Sequence, residues 1–338
     1  MRRFKTQLPA IAGSLGAMLI LAFSPGAPRA AAQQTSTAPE EETLVNLAAG
    51  RVVIAVVKDA ILVATVENPV EPETRPPTPV ALGSARAGVI LGAVEWTAPA
   101  SHRQIARLDR ELPRLHSSLV TPAPHLQPQA DAEATDIEAT GQALLERLNE
   151  VARELHGKVD IPATEPIAEL ILADYASGYG PEVWQLAYKI TQVQQQTDYW
   201  TTRVLRPSYL QYWPPEKGQP RTLVEFAYPP ENAPTPLLTL LQQKDPRLQK
   251  LIASDPQMAR VAGQLLEGDS TKVPAADATQ FLRAALDAVG PPNARQTMAI
   301  IGRETGFDWV LAPPPEPPSP SVQPERPPGA PTLVKPPQ

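Results

Sequence analysis

The chain has no cysteine among its 338 residues, which excludes disulfides, zinc–thiolate sites, iron–sulfur clusters, cysteine nucleophiles and cysteine-anchored lipoprotein chemistry. Its four histidines, His102, His116, His125 and His156, are scattered, and no spacing suggests a metal site, so no metal and no cofactor is expected. Aromatic residues are few, at 5%, and the net charge is −6. A chain without a basic footprint is not expected to bind nucleic acid or anionic lipid by electrostatics. The sequence also lacks a nucleophile elbow, a Walker loop, a paired-histidine zinc helix and a dinucleotide-binding glycine fingerprint.

Proline is the residue in excess, 42 of 338, where about 5% is ordinary. Much of it lies at the C-terminal end: residues 312–338 hold 12 prolines and read as a proline-rich tail that packs no core of its own. At the other end, Arg2, Arg3 and Lys5 precede an apolar run from Ile11 to Phe23 and then Ala30-Ala31-Ala32. That order predicts a signal peptide over 1–32 and an exported protein, periplasmic or extracellular, without a membrane span once the signal is removed. Residues 33–42 form a polar, acidic lead, leaving a folded domain over 43–311.

Within that domain two β-branched runs, Arg51 to Val57 and Ala60 to Val66, flank Lys58-Asp59, the spacing of a tight hairpin. A loop with five prolines follows between Asn68 and Pro79, then a strand over 87–94. Ile105, Leu108, Leu112, Leu115 and Leu119 recur at helical spacing, broken by Pro113. The box Thr135-Asp136-Ile137-Glu138 predicts the start of a second helix, which Gly157 closes. A second hairpin spans 167–190, with turn glycines at 178 and 180. Helices are expected near 236–243, 246–253, 257–266 and 275–288, and strands at 296–301 and 307–311. Blocks of strands and helices, rather than strict alternation, point to an α+β fold in layers.

Four stretches carry a family resemblance: VVIAVVKDAILVAT over 52–65, GVILGAV over 88–94, AELILADYASGYGPEVWQL over 168–186, and TMAIIGRETGFDWV over 297–310. In this order they resemble the proteasome-type family of N-terminal-nucleophile hydrolases. The resemblance implies a four-layer αββα sandwich, two antiparallel sheets packed between helical layers, with an irregular aromatic and proline-rich insertion at about 192–260. In such hydrolases a threonine at the mature N-terminus attacks, and its own amine takes the proton. Counted by the family spacing, the nucleophile position falls on Gly50, the acidic position on Val66, the lysine position near Thr78, and a late aspartate on Val289, beside Asp287. None of the four has the required chemistry, so the resemblance implies a non-catalytic subunit that binds or assembles. Such subunits carry an N-terminal extension, here Glu40 to Ala49, expected as a short helix. The alternative is an active peptidase or amidohydrolase whose further processing exposes Thr43.

Other constellations are weak. His116 with Ser117 and Ser118 is expected on a solvated helix face. Asp174 and Glu182 are expected as solvent-facing carboxylates at a hairpin end. All seven tyrosines lie between Tyr175 and Tyr228, with Trp184, Trp200 and Trp213 among them. Such rings suit a glycan or peptide ligand, which makes Tyr199, Trp200, Tyr209, Tyr212 and Trp213 candidate binding residues. A peptide or glycan ligand, self-association or an exported protein partner are the partners expected.

Overall fold

In the computed structural model the described residues are 45–68, 74–98, 103–119, 129–155, 166–176, 180–196 and 199–315. Thr43, the segment 1–32 expected to be a signal peptide, Gly157 and the tail beyond 315 lie outside them. In chain order the strands and helices are β1 (Val45–Ala48), β2 (Gly50–Val57), β3 (Ala60–Glu67), β4 (Val80–Ala81), β5 (Arg86–Thr97), β6 (Gln104–Arg107), α1 (Leu108–Leu119) and α2 (Gln129–Leu155). There follow β7 (Ala168–Ala176), β8 (Gly180–Tyr188), β9 (Ile190–Gln196), β10 (Tyr199–Val204), β11 (Ser208–Trp213) and β12 (Val224–Tyr228). The chain continues as α3 (Leu237–Gln242), α4 (Pro246–Ser254), α5 (Pro256–Leu266), α6 (Ala275–Val289), β13 (Gln296–Gly302) and β14 (Gly306–Leu311).

Two large antiparallel sheets result, with β9 and β10 forming a separate two-stranded one. The first runs β1-β5-β7-β8-β11, with β4 and β6 also on β5; the second runs β12-β2-β3-β13-β14. Three apolar clusters define the layers. Val52, Ile54, Val56, Ile61 and Val63 of the second sheet meet Val89, Leu91, Ile171 and Val183 of the first. The opposite faces of β2 and β3, through Val53, Ala55, Leu62 and Ala64, pack on Leu241, Val261, Phe281 and Leu282 of α3, α5 and α6. The outer face of the first sheet packs Ile90, Leu170 and Leu186 on Leu112, Leu144 and Leu148 of α1 and α2. The order is therefore helices, sheet, sheet, helices, the four-layer α+β sandwich expected. Every residue of β2 and β3 is buried, which is why they read as continuous β-branched runs without alternation. Their turn places Asp59 at φ +61°, a left-handed conformation that aspartate tolerates.

Three expectations need correction. The stretch expected to be an irregular insertion contains four strands: β9 pairs with β10, β11 extends the first sheet beside β8, and β12 extends the second beside β2. Pro207, Pro214 and Pro215 fall between these strands rather than within them, where they remove no ladder hydrogen bond. The short helix expected before Gly50 is, over its described part, strand β1, with Val45 opposite Trp96 and Ala48 opposite Gly92. The second helix begins at Gln129 rather than at the Thr135 box, because Ala130, Ala132 and Ala134 carry helix propensity upstream of it.

Candidate functional site

The four positions that the family spacing singles out converge at one end of β2 and β3. Gly50 opens β2 opposite Glu67, and Arg51 lies opposite Val66. A Cβ on Gly50 would stand 2.2 Å from the carbonyl oxygen of Val66 and 3.0 Å from the Cδ of Pro77, the neighbour of Thr78. Gly290, next to Val289, approaches the Val66 side chain, 3.6 Å from where its own Cβ would be. The convergence brings together no nucleophile and no base. Position 50 lacks a side chain and has no room for one, and its nitrogen follows a chain already built into β1. Ala49 N donates to Arg75 O at 3.1 Å and Asn68 N donates to Ala49 O at 3.1 Å, so the residues before Gly50 are tied on both sides. Thr78 Oγ1 donates to Pro76 O, and Asp287 accepts from Gln296 Nε2 at 2.7 Å on the surface.

One strand position along, a cleft of about 90 Å³ opens, lined by Arg51, Val66, Glu67, Asn68, Asn232, Pro234, Leu286, Val289, Gly290 and Pro291. Its floor is apolar and its rim is polar. Glu67 is fully engaged: Arg295 Nε donates to its Oε2 at 2.8 Å and Nη2 to its Oε1 at 2.5 Å. Those bonds outweigh burial and hold the Glu67 carboxyl below the usual carboxylate range. Arg51 is less well served. Its Nη2 donates to Thr235 O at 2.6 Å, but its Nε stands 3.8 Å from Glu225 Oε2, beyond hydrogen-bond reach. Its side chain is 7% exposed. Burial pulls the Arg51 guanidinium below its ordinary pKa despite Glu225, and burial likewise pushes the Glu225 carboxyl up. Glu225 spends Oε1 on Leu237 N at 2.7 Å, at the start of α3, while its buried Oε2 has no hydrogen-bond partner among the described residues. The side-chain amides of Asn68 and Asn232 likewise have none. Charge alternation in the sequence does not reveal such a cleft. Arg51 looks like a strand-end cation, and its burial follows only once α6 and the segment after β12 close over it.

The aromatic candidates part company. Tyr199 and Trp200 open β10, opposite Gln196 and Gln194. On β11, Tyr209 is half-buried against the core beneath α2, where the absence of a Cβ on Gly141 makes room for its hydroxyl. Trp213 lies in the core between the sheets, 4% exposed. Tyr212 is 38% exposed, crosses the ring of Phe226 edge-on at 5.0 Å and donates to Gln185 Oε1 at 2.8 Å. Tyr209, Tyr212 and Trp213 therefore do not form a single platform: Tyr209 faces the helix side, and past the register shift between Gln211 and Trp213 the Trp213 ring turns into the core between the sheets.

Other sequence candidates are structural. His116, expected on a solvated face, is buried with its Nδ1 2.9 Å from Thr140 Oγ1, because its turn of α1 faces α2. Asp174, expected in solvent, is buried in a salt bridge with Arg86, its register partner on β5. Glu182 accepts from Trp184 Nε1 at 2.8 Å. Gly92 of β5 sits against the backbone of Ile167, whose oxygen would be 2.4 Å from an added Cβ. Glu95, also buried, gathers Asn46, Arg75 and Gln104. Burial would raise its carboxyl, yet Asn46, Arg75 and the nearby Arg107 together hold it low. Among the described residues no group of histidines and carboxylates could hold a metal, and no helix is long and apolar enough to cross a membrane.

No known family's sequence model matches this chain, and no curated protein is significantly similar to it.

Proposed function

We propose that the chain is an exported, non-catalytic protein related to proteasome-type subunits, which acts by binding or assembly. The observation that carries this reading is the convergence of Gly50, Val66, the segment around Thr78 and Val289 at one end of β2 and β3. Four positions spaced by a family pattern meet in space, as they would for shared chemistry, and the residues there are a glycine, two valines and a threonine whose hydroxyl is spent on a neighbouring carbonyl. Nucleophilic attack in this class needs a hydroxyl and a free α-amine on one residue. Gly50 offers neither, and the tied segment before it supports a role in which the chain is never cut at that point.

The test is the intact mass and N-terminal sequence of the protein recovered from the exported fraction of its host, followed by incubation with a peptide electrophile that captures N-terminal threonine. The expected result is a chain starting near Gln33 that takes no label. A chain starting at Thr43, or at any other serine or threonine, and acquiring the label would overturn the reading in favour of a hydrolase. Recovery only from the cytoplasm, with residues 1–32 intact, would overturn the exported half of it.

A further inference from the structure

The cleft beside β2 and β3 is lined by a largely buried guanidinium, that of Arg51, which has a single hydrogen bond. Arg51 donates that bond to Thr235 O and stands 3.8 Å from Glu225; its other guanidinium nitrogens are not among the buried atoms without a partner, so their N–H groups reach solvent and are open to a further acceptor. Two unengaged amides, Asn68 and Asn232, flank it over the apolar floor of Val66, Leu286, Val289 and Pro291. Such a cleft suits an extended, apolar chain carrying one acidic side chain. Arg51 would take the carboxylate, the amides would meet peptide groups and the floor would hold proline rings.

A segment with that chemistry leaves the domain at the same end of the second sheet. β14 runs antiparallel to β13, with Leu311 opposite Met298, and Gln296 at the start of β13 lies opposite Val66. The exit at Leu311 therefore lies on the cleft's side of the sheet, three strands from β2. Three strand spacings amount to about 14 Å. The sequence continues Ala312-Pro313-Pro314-Pro315-Glu316-Pro317-Pro318-Ser319-Pro320. Five residues of extended proline-type chain, ending at Glu316, advance about 15 Å. The first acidic residue after β14 thus matches the span, and the residues around it are prolines.

We propose that the proline-rich segment 316–320 of the same chain, which follows the described residues, docks in this cleft, with the Glu316 carboxylate paired to Arg51. The cleft's own charges balance, Arg51 and Arg295 against Glu67 and Glu225, so the attraction is local to the open N–H groups of Arg51 rather than a general field. Because Glu67 is held by Arg295 through two bonds, it does not compete for Arg51. The proposal rests on the cleft and on the exit of β14, and stands whether or not the chain is catalytic.

The absence of native cysteine makes the test direct. In the full-length protein, Asn232→Cys is combined with Ser319→Cys and the rate of disulfide formation is read on non-reducing gels. The reference pairs Ser319→Cys with Lys217→Cys, an exposed position that does not line the cleft. Docking predicts a within-chain bond that forms at least about tenfold faster at 232 than at 217, and a several-fold slowing at 232 when Glu316→Gln is added. Equal rates at the two positions would overturn docking. A between-chain dimer in place of the internal bond would overturn it in favour of exchange with a second copy. A rate at 232 indifferent to Glu316→Gln would overturn the pairing with Arg51. Glu316 and Ser319 follow the last described residue, and Asn232 and Lys217 are at exposed positions, so a folding defect is not expected to obscure the readout.

Discussion

The two regions that attract attention in this molecule, the aromatic edge around β11 and the end of β2 and β3, differ in how their polar groups are used. At the edge most of the described polar atoms are occupied. Tyr188 donates to Gly141 O at 3.0 Å, Tyr212 to Gln185 and Trp184 to Glu182, while Trp213 and Tyr209 are given over to packing. At the end of β2 and β3 the ring of Tyr228, opposite Gly50, is buried, while Arg51 has a single hydrogen bond, Glu225 Oε2 has none, and the side-chain amides of Asn68 and Asn232 have none among the described residues. Aromatic clustering marks where area is buried. Unsatisfied polarity beside open space marks where something can bind.

The sharpest way to break this comparison is Trp213→Ala. If Trp213 is core, truncation leaves a cavity between the sheets and costs about 3–5 kcal/mol, measured by denaturant unfolding. A ligand platform would instead lose binding with its stability unchanged. An unfolding midpoint like that of the parent would return Trp213 to the list of binding residues.

Gly50→Thr, which restores a hydroxyl where the resemblance counts one, comes next. The new Cβ meets the Val66 carbonyl at 2.2 Å, and backbone has to shift to relieve it. A loss of about 1–3 kcal/mol is expected, as for other overpacked sites, with no peptide hydrolysis gained. Hydrolysis by this variant would show that the site needs only its nucleophile.

These two substitutions also separate what is legible in the sequence from what is not. The strands β2, β3, β13 and β14 and the helices α3 to α6 are legible to within a residue or two, because burial on both faces produces unbroken apolar runs and the helices carry regular stripes and proline starts at Pro246 and Pro256. The four converging positions are legible through spacing. The order of residues 190–228 is not, since its strands β9 and β11 are rich in glutamine, tyrosine and exposed leucine and alternate weakly. Nor is the cleft, whose members come from β2, β3, the segment before α3 and the end of α6. Only packing brings Arg51 and Asn232 together, and only packing buries His116 and Asp174.

A smaller effect is expected at the cleft's rim. Glu67→Gln exchanges a carboxylate with two bonds from Arg295 for a neutral amide and should cost about 1 kcal/mol at neutral pH, because Arg295 is half-exposed and solvent screens the pair. The pH dependence fixes the sign. The folded state holds the Glu67 carboxyl below its ordinary 4.5, so its contribution is complete above that value and fades as the pH falls through the folded one. Parent and variant should therefore differ at pH 7 and converge in acid. A difference that persists undiminished at pH 3 would assign the loss to packing. Glu225 has the opposite sign, since burial raises it, and protonating it relieves a cost rather than removing a gain.

The smallest effect belongs to Tyr212→Ala. Removing a 38% exposed ring forfeits one edge-on contact with Phe226 and one hydrogen bond to Gln185, about 1 kcal/mol or less in unfolding. That makes Tyr212 the one member of the aromatic set whose described side chain can be removed cheaply, and so the one at which a glycan or peptide role is cleanly testable. Ordered protein with lost affinity for a cell-wall glycan or peptide would restore the edge as a binding surface built on Tyr212. Unchanged affinity would leave the end of β2 and β3, where Arg51 has a single hydrogen bond, as the region where binding is to be sought.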